Sequence, residues 1–133
     1  MAGLELAVKT RILIVDDHVE FRQDLARYLA MLDGNYEVID EVSTAESALA
    51  RIDALAPDIV LMDLELPGCS GLTATQRICH TWPSIKVIVI SNNPAVDYRE
   101  LALDAGAVDY VDKLELFDAL PPRLAAAARL PRQ

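Results

Sequence analysis

The stretch Ile12–His18, ILIVDDH, decides how the chain is read. Four apolar residues suited to a buried strand run straight into two adjacent aspartates. Two carboxylates about 4 Å apart repel by roughly 1 kcal/mol in water, and by nearer 4 kcal/mol at the effective dielectric of a partly buried site. A strand that ends on such a pair calls for a compensating positive charge close by.

Outward from that stretch, β-branched runs alternate with helical periodicities, without repeats or low-complexity tracts. The strand candidates are Ile12–Val15, Tyr36–Val42, Ile59–Met62, Val87–Ile90 and Val108–Val111. Between the first two, Phe21, Leu25, Tyr28, Leu29 and Leu32 form one apolar helical stripe that stops before Asp33-Gly34-Asn35. Ala45, Ala48, Leu49 and Ile52 form a second stripe, opened by Ser43 or Thr44 as N-cap. A third helix runs from about Leu72 to His80. Tyr98, Leu101, Ala102 and Ala105 make a fourth, closed by Gly106. In LFDALPPRLAAAARLPRQ two prolines fit a first helical turn, so the fifth helix is expected to start between Asp118 and Pro122.

Four of the strands are nearly all apolar, the mark of a parallel sheet covered on both faces; the second alternates and belongs at an edge. The pattern defines an α/β fold, a doubly wound open sheet. A length of 133 residues with 53% apolar content fits one domain, spanning 1–133 with its core at about 10–130. The net charge of −9 and pI near 4.5 argue against direct nucleic-acid binding. No run is long enough to span a membrane, and MAGLELAVKT lacks a secretion-signal layout, so a cytoplasmic location is expected. Cys69 and Cys79 lack CxxC spacing and are expected as free thiols.

In such sheets the site lies beyond the carboxyl ends of the strands. There stand Asp16 and Asp17 after strand one, Asp63 after strand three, Ser91 after strand four and Lys113 near strand five. Three carboxylates and one lysine leave a charge of −2, which one divalent cation neutralises. An all-oxygen site without histidine or thiolate ligands points to a hard ion, and one keeping several waters for a phosphate partner points to Mg²⁺. His18 is expected at the start of a helix, facing solvent, and is not counted as a ligand. Gly71 and Gly106 read as backbone permission for turns.

These residues resemble the receiver domains of two-component response regulators. The ordered motifs RILIVDDH, MDLELPGCSG, VIVIS and ALDAGAVDYVDK carry the likeness, which extends to about Leu130 and is nearest the NarL/FixJ type. The resemblance implies a three-layer, flavodoxin-like (βα)5 fold with strand order 2-1-3-4-5. It implies that Asp63 accepts a phosphoryl group from a sensor histidine kinase or phosphotransfer protein. Asp17 and Asp63 would ligate Mg²⁺ with the backbone carbonyl of Glu65, and Asp16 would act largely through a bound water. Lys113 and Ser91 would bind phosphoryl oxygens, and Tyr110 matches an aromatic that turns inward when the hydroxyl moves.

Four features depart from the common pattern. Asn92 is larger than usual after the switch hydroxyl and would restrict access to the site. Glu65 and Asn93 stand where side chains aim or block hydrolytic water, which implies an unusual dephosphorylation rate. Leu114 replaces the proline that often follows the lysine, so no cis peptide is assumed there. The Pro-rich fifth helix alters the helix 4–strand 5–helix 5 face through which receivers dimerise or bind partners.

No output domain follows in the sequence, so the chain is expected to signal either to a separate partner protein or to a missing output domain. Kinase pairing would lie on helix one from Val19 onward. By this reading the chain is no enzyme beyond its own phosphoryl transfer and dephosphorylation. The alternatives are a receiver-like binding module that is never phosphorylated, and a haloacid-dehalogenase-like phosphohydrolase. The latter needs DxD after the first strand, whereas DLE follows the third.

Overall fold

Strands of period two whose residues are apolar at every position must be covered on both sides, and the computed structural model, which describes residues 8–131, shows how. In chain order it contains β1 (Thr10–Val15), α1 (Val19–Met31), β2 (Tyr36–Val42), α2 (Ala45–Leu55), β3 (Ile59–Asp63) and α3 (Gly71–Thr81). There follow β4 (Lys86–Ser91), α4 (Ala95–Asp104), β5 (Asp109–Asp112), a 3-10 turn (Lys113–Glu115) and α5 (Leu116–Ala128). All strand pairs are parallel, in the order β2-β1-β3-β4-β5, with the alternating β2 at an edge as expected. Residues 1–7, which hold most of the stretch read for a secretion signal, and 132–133, at the end of the Pro-rich stretch, lie outside the described residues.

Successive side chains of one strand feed two cores. Leu13, Val15, Val60, Met62, Val87 and Val89 pack under α2, α3 and α4 with Ile52, Ile78 and Ala102. Ile12, Ile14, Leu61, Ile88, Ile90 and Val111 pack under α1 and α5 with Leu25, Leu29, Leu120 and Leu124. Each such side chain, fully withdrawn from water, contributes about 1.5–3 kcal/mol before the entropy of ordering is counted. A one-residue slip of any central strand would exchange its contributions to the two cores.

Of the two N-cap candidates, Thr44 caps α2, its hydroxyl accepting from the N–H of Ser47. Ser70 caps α3 in the same way through Thr73, which the sequence reading missed. Gly106 takes φ +111° after α4, as a turn glycine should. Gly71 does something else: it is the first residue of α3, and a Cβ there would meet the Asp63 carbonyl oxygen at 2.1 Å and the Leu64 Cα at 2.8 Å. It is small so that α3 can start against the end of β3.

The start of α5 corrects the expectation that it lies between Asp118 and Pro122. The helix begins at Leu116, with Pro121 and Pro122 inside it rather than in its first turn. Pro121 has no N–H to offer the carbonyl of Phe117, four residues earlier. That carbonyl is taken instead by the Tyr28 hydroxyl of α1 at 2.6 Å, and the two rings pack edge to face with centroids 4.7 Å apart. A neighbouring helix thus supplies the missing donor, something no local rule for prolines foresees. No cis peptide occurs among the described residues, so Leu114 follows Lys113 in trans. At the opposite end of the sheet the buried Lys86 ammonium, at the start of β4, donates to the Pro131 carbonyl just beyond α5 at 3.0 Å.

Candidate functional site

The register β1–β3–β4–β5 brings the last residues of four strands to one rim. Asp16 follows β1 and Asp63 ends β3; they are buried to 2% and 4% exposure, while Asp17 faces outward. Lys113, first residue of the 3-10 turn, reaches back with its ammonium 2.8 Å from Asp16 Oδ2 and 3.8 Å from Asp63 Oδ2. The same ammonium lies 4.2 Å above the centre of the Phe21 ring, which screens it from solvent on the α1 side. All of the sequence-predicted acidic residues and the lysine therefore meet.

One lysine does not balance three carboxylates. The Asp63 carboxyl is pushed up to about 6, first by burial and then by the neighbouring Asp16 charge, against the opposing pull of Lys113 and the Glu65 N–H. That N–H donates to Asp63 Oδ1 at 3.1 Å. Donor atoms of Asp16, Asp17, His18 and Asp63 all lie within 4.8 Å of one another. Closely spaced oxygens with unneutralised charge and a depressed tendency to ionise fit a divalent cation, and the carboxylate set fits Mg²⁺.

Ser91, the last residue of β4, is fully buried, and its Oγ accepts from the Asn93 N–H at 2.9 Å and from Asn93 Nδ2 at 3.2 Å. Tyr110, in the middle of β5, is buried with its hydroxyl donating to the Asn93 carbonyl at 2.8 Å; burial raises its phenol above the ordinary range. Ser91, Asn93 and Tyr110 thus form one chain of hydrogen bonds behind the acidic rim. The Asn93 amide is engaged with Ser91, while Asn92 and Glu65 are exposed.

Three participants were not singled out for the site in the sequence. Phe21 had been placed only on a helix stripe. Arg22, which donates to the Asp16 carbonyl at 2.5 Å and lies 3.5 Å from Glu41, carries no local signal for that role. His18 is solvent-facing at the N-cap of α1, as expected, but its ring nitrogen is turned onto the aspartates. Its adjacency to the acidic pair was the available signal.

A doubly wound sheet with an acidic triad, a partly buried lysine and a buried hydroxyl at its carboxyl rim defines a class, and the sequence comparison places the chain in it. Residues 12–125 match the response regulator receiver domain, and the chain belongs to that family. It is 37% identical over 103 residues to the response regulator GacA of Pseudomonas viridiflava, covering 77% of this chain and 48% of that protein. It is 35% identical over 112 residues to the transcriptional regulatory protein DegU of Brevibacillus brevis, covering 84% and 47%. Among solved structures, a LuxR-family two-component response regulator from Aurantimonas sp. SI85-9A1 superposes with a TM-score of 0.78 at 32% identity, over 90% of this chain and 87% of that one. The chain spans about half the length of the curated relatives it matches. No helix among the described residues is long and apolar enough to cross a membrane.

Proposed function

We propose that this receiver domain is a phosphorylation switch in which Asp63 takes a phosphoryl group from the phosphohistidine of a sensor kinase or phosphotransfer protein. The observation that carries the proposal is the convergence of Asp16, Asp17, Asp63 and Lys113, with Asp63 driven toward protonation by its surroundings. A Asp63 carboxylate oxygen would attack phosphorus as the P–N bond to the donor imidazole breaks, leaving an acyl phosphate on Asp63 and a proton to be taken up by the imidazole. Phosphoryl transfer of this kind is governed by positioning and by charge on the non-bridging oxygens.

Asp17 and Asp63 would hold Mg²⁺ with the Glu65 carbonyl, and Asp16 would orient one of its waters; bound there, Mg²⁺ supplies positive charge to the transferring group. Lys113, beside Asp16 and Asp63, would supply the remaining charge. The Asn93 N–H groups occupy acceptor positions on Ser91 Oγ, and its O–H, which also interacts with the Tyr110 phenol, would turn to donate to a phosphoryl oxygen. Any shift of Ser91 toward that oxygen pulls on Asn93 and, through its carbonyl, on Tyr110. Glu65 and Asn92, both exposed, are the residues from which the lifetime of the acyl phosphate would be tuned, and Asn93 contributes through its hold on Ser91. The output would be a changed surface read by a partner protein or by an attached output domain, with the α4–β5–α5 face as the surface for a homodimer.

The test is intact mass after incubation with acetyl phosphate, with and without Mg²⁺, beside Asp63→Asn. A metal-dependent gain of one phosphoryl group in the parent alone supports the proposal. No gain in a folded, Mg²⁺-binding protein, even with a kinase as donor, refutes it and leaves a binding module.

A further inference from the structure

We propose that Arg22 is a positioning residue for the acidic rim: by holding the Asp16 carbonyl it fixes the peptide that carries Asp17, and so strengthens the rim's hold on its cation. The inference rests on the rim being a cation site and adds a residue that touches neither the ion nor the phosphoryl group. β1 ends at Val15, and the Asp16 N–H donates to the Val42 carbonyl at 3.0 Å. Asp17 lies past that bond, outside the ladders of the sheet. Among the described residues its carboxylate is paired only with the solvent-facing His18 ring, 3.3 Å away.

What holds Asp17 is the peptide before it. A peptide unit is planar, so the direction of the Asp16 carbonyl decides where the Asp17 Cα lies and which way its side chain leaves. Arg22 Nη1, from the first turn of α1, donates to that carbonyl at 2.5 Å. The guanidinium is itself steadied on another edge, with Nε 3.5 Å from Glu41 Oε1 near the end of β2. A planar fork meets both partners in a fixed orientation, where a lysine ammonium would meet them as a swivelling point charge. The turn after β1 is thereby tied to α1 and β2 together.

This arrangement carries a cost. The Arg22 side chain is only 13% exposed, and its Nε, withdrawn from water, has an ion pair but no hydrogen bond. Its positive charge also stands beside a turn that is to receive a cation, and repels that ion. The two effects of Arg22 on the ion therefore have opposite signs. A bystander charge would weaken cation binding, whereas a positioning residue strengthens it.

The experiment uses the 133-residue chain. Mg²⁺ affinity is measured by calorimetry for the parent, Arg22→Met and Arg22→Lys, and ¹⁵N relaxation of the metal-free proteins reports the order of the Asp17 amide. Met keeps the aliphatic bulk and removes the donors. The expected result is Mg²⁺ binding weaker by about tenfold or more in Arg22→Met. Without metal, the Asp17 order parameter should fall from about 0.85 to about 0.6 or below, while Leu13 in the middle of β1 keeps its value. Phosphoryl gain from acetyl phosphate should need about tenfold more Mg²⁺ for half its maximal rate, with the maximum unchanged. Should Arg22→Met fail to fold, Arg22→Lys, which keeps the charge but not the fork, serves in its place with the same direction of change. Unchanged or tighter Mg²⁺ binding in the variants, beside a parent that binds the ion, overturns the role of Arg22 alone. A parent that binds no Mg²⁺ overturns the cation site and this inference with it.

Discussion

Removing the charge of Asp63 should make the metal-free protein more stable. The folded protein holds this carboxyl at about 6 against an ordinary value of 3.8, a rise of about two units, or roughly 3 kcal/mol. Because the folded value is raised, the native state binds the proton more tightly than the unfolded chain. The penalty is therefore absent below about pH 4, grows between pH 4 and 6, and is complete above that. Asn carries no such penalty, and its oxygen can still accept the Glu65 N–H. In Mg²⁺-free buffer at pH 8, Asp63→Asn should gain roughly 2–3 kcal/mol over the parent, near 10 °C in Tm. At pH 4 the advantage should all but vanish. Urea unfolding across that pH range, with chelator present, measures it. Saturating Mg²⁺ should narrow the gap from the other side, stabilising the parent by about 2.7 kcal/mol at one hundred times its Kd. A variant no more stable than the parent at pH 8, or an advantage that persists unchanged at pH 4, would refute the argument that burial, and then the neighbouring Asp16 charge, make the ionised Asp63 costly at this rim.

The opposite change at the same rim should act in the opposite direction: Lys113→Gln leaves the buried Asp16 without its 2.8 Å partner and is expected to cost about 3 kcal/mol in metal-free urea unfolding. Gly71→Ala drives a methyl into the Asp63 carbonyl, so a loss of more than about 2 kcal/mol and a slower phosphoryl gain by mass spectrometry are expected. Tyr28→Phe should cost about 1 kcal/mol by removing the donor to the Phe117 carbonyl. In a Pro121→Ala background, where the helix regains its own donor, the same change should cost less than half as much, and a double-mutant cycle reads the difference.

The parts of the fold legible in the sequence were those written in periodicity. Continuous apolar runs specify strands covered on both faces, and β2, whose residues alternate, falls at the edge. The rim was legible because one topological rule sends every strand's last residue to the same side, so Asp16, Asp63, Ser91 and Lys113 could be assembled without coordinates. What escaped depends on contacts between elements distant in sequence. Nothing near Pro121 announces that Tyr28, on another helix, will satisfy Phe117. Nothing near Lys113 announces that Phe21 will lie beneath its ammonium. Gly71 was read through dihedral freedom, whereas its role is spatial and set by the end of β3.

The Lys86 contact described with the fold has a mechanical consequence. β4 spans Lys86–Ser91, about 17 Å of strand, bonded to β3 on one side and β5 on the other. Sliding it would tear two ladders at once, so it behaves as a strut rather than a piston. One end carries the Ser91 hydroxyl and the other grips the carbonyl beyond α5. The strand thus joins the hydroxyl at the rim to the segment just beyond α5 through one rigid element, its two ends tied by different side chains.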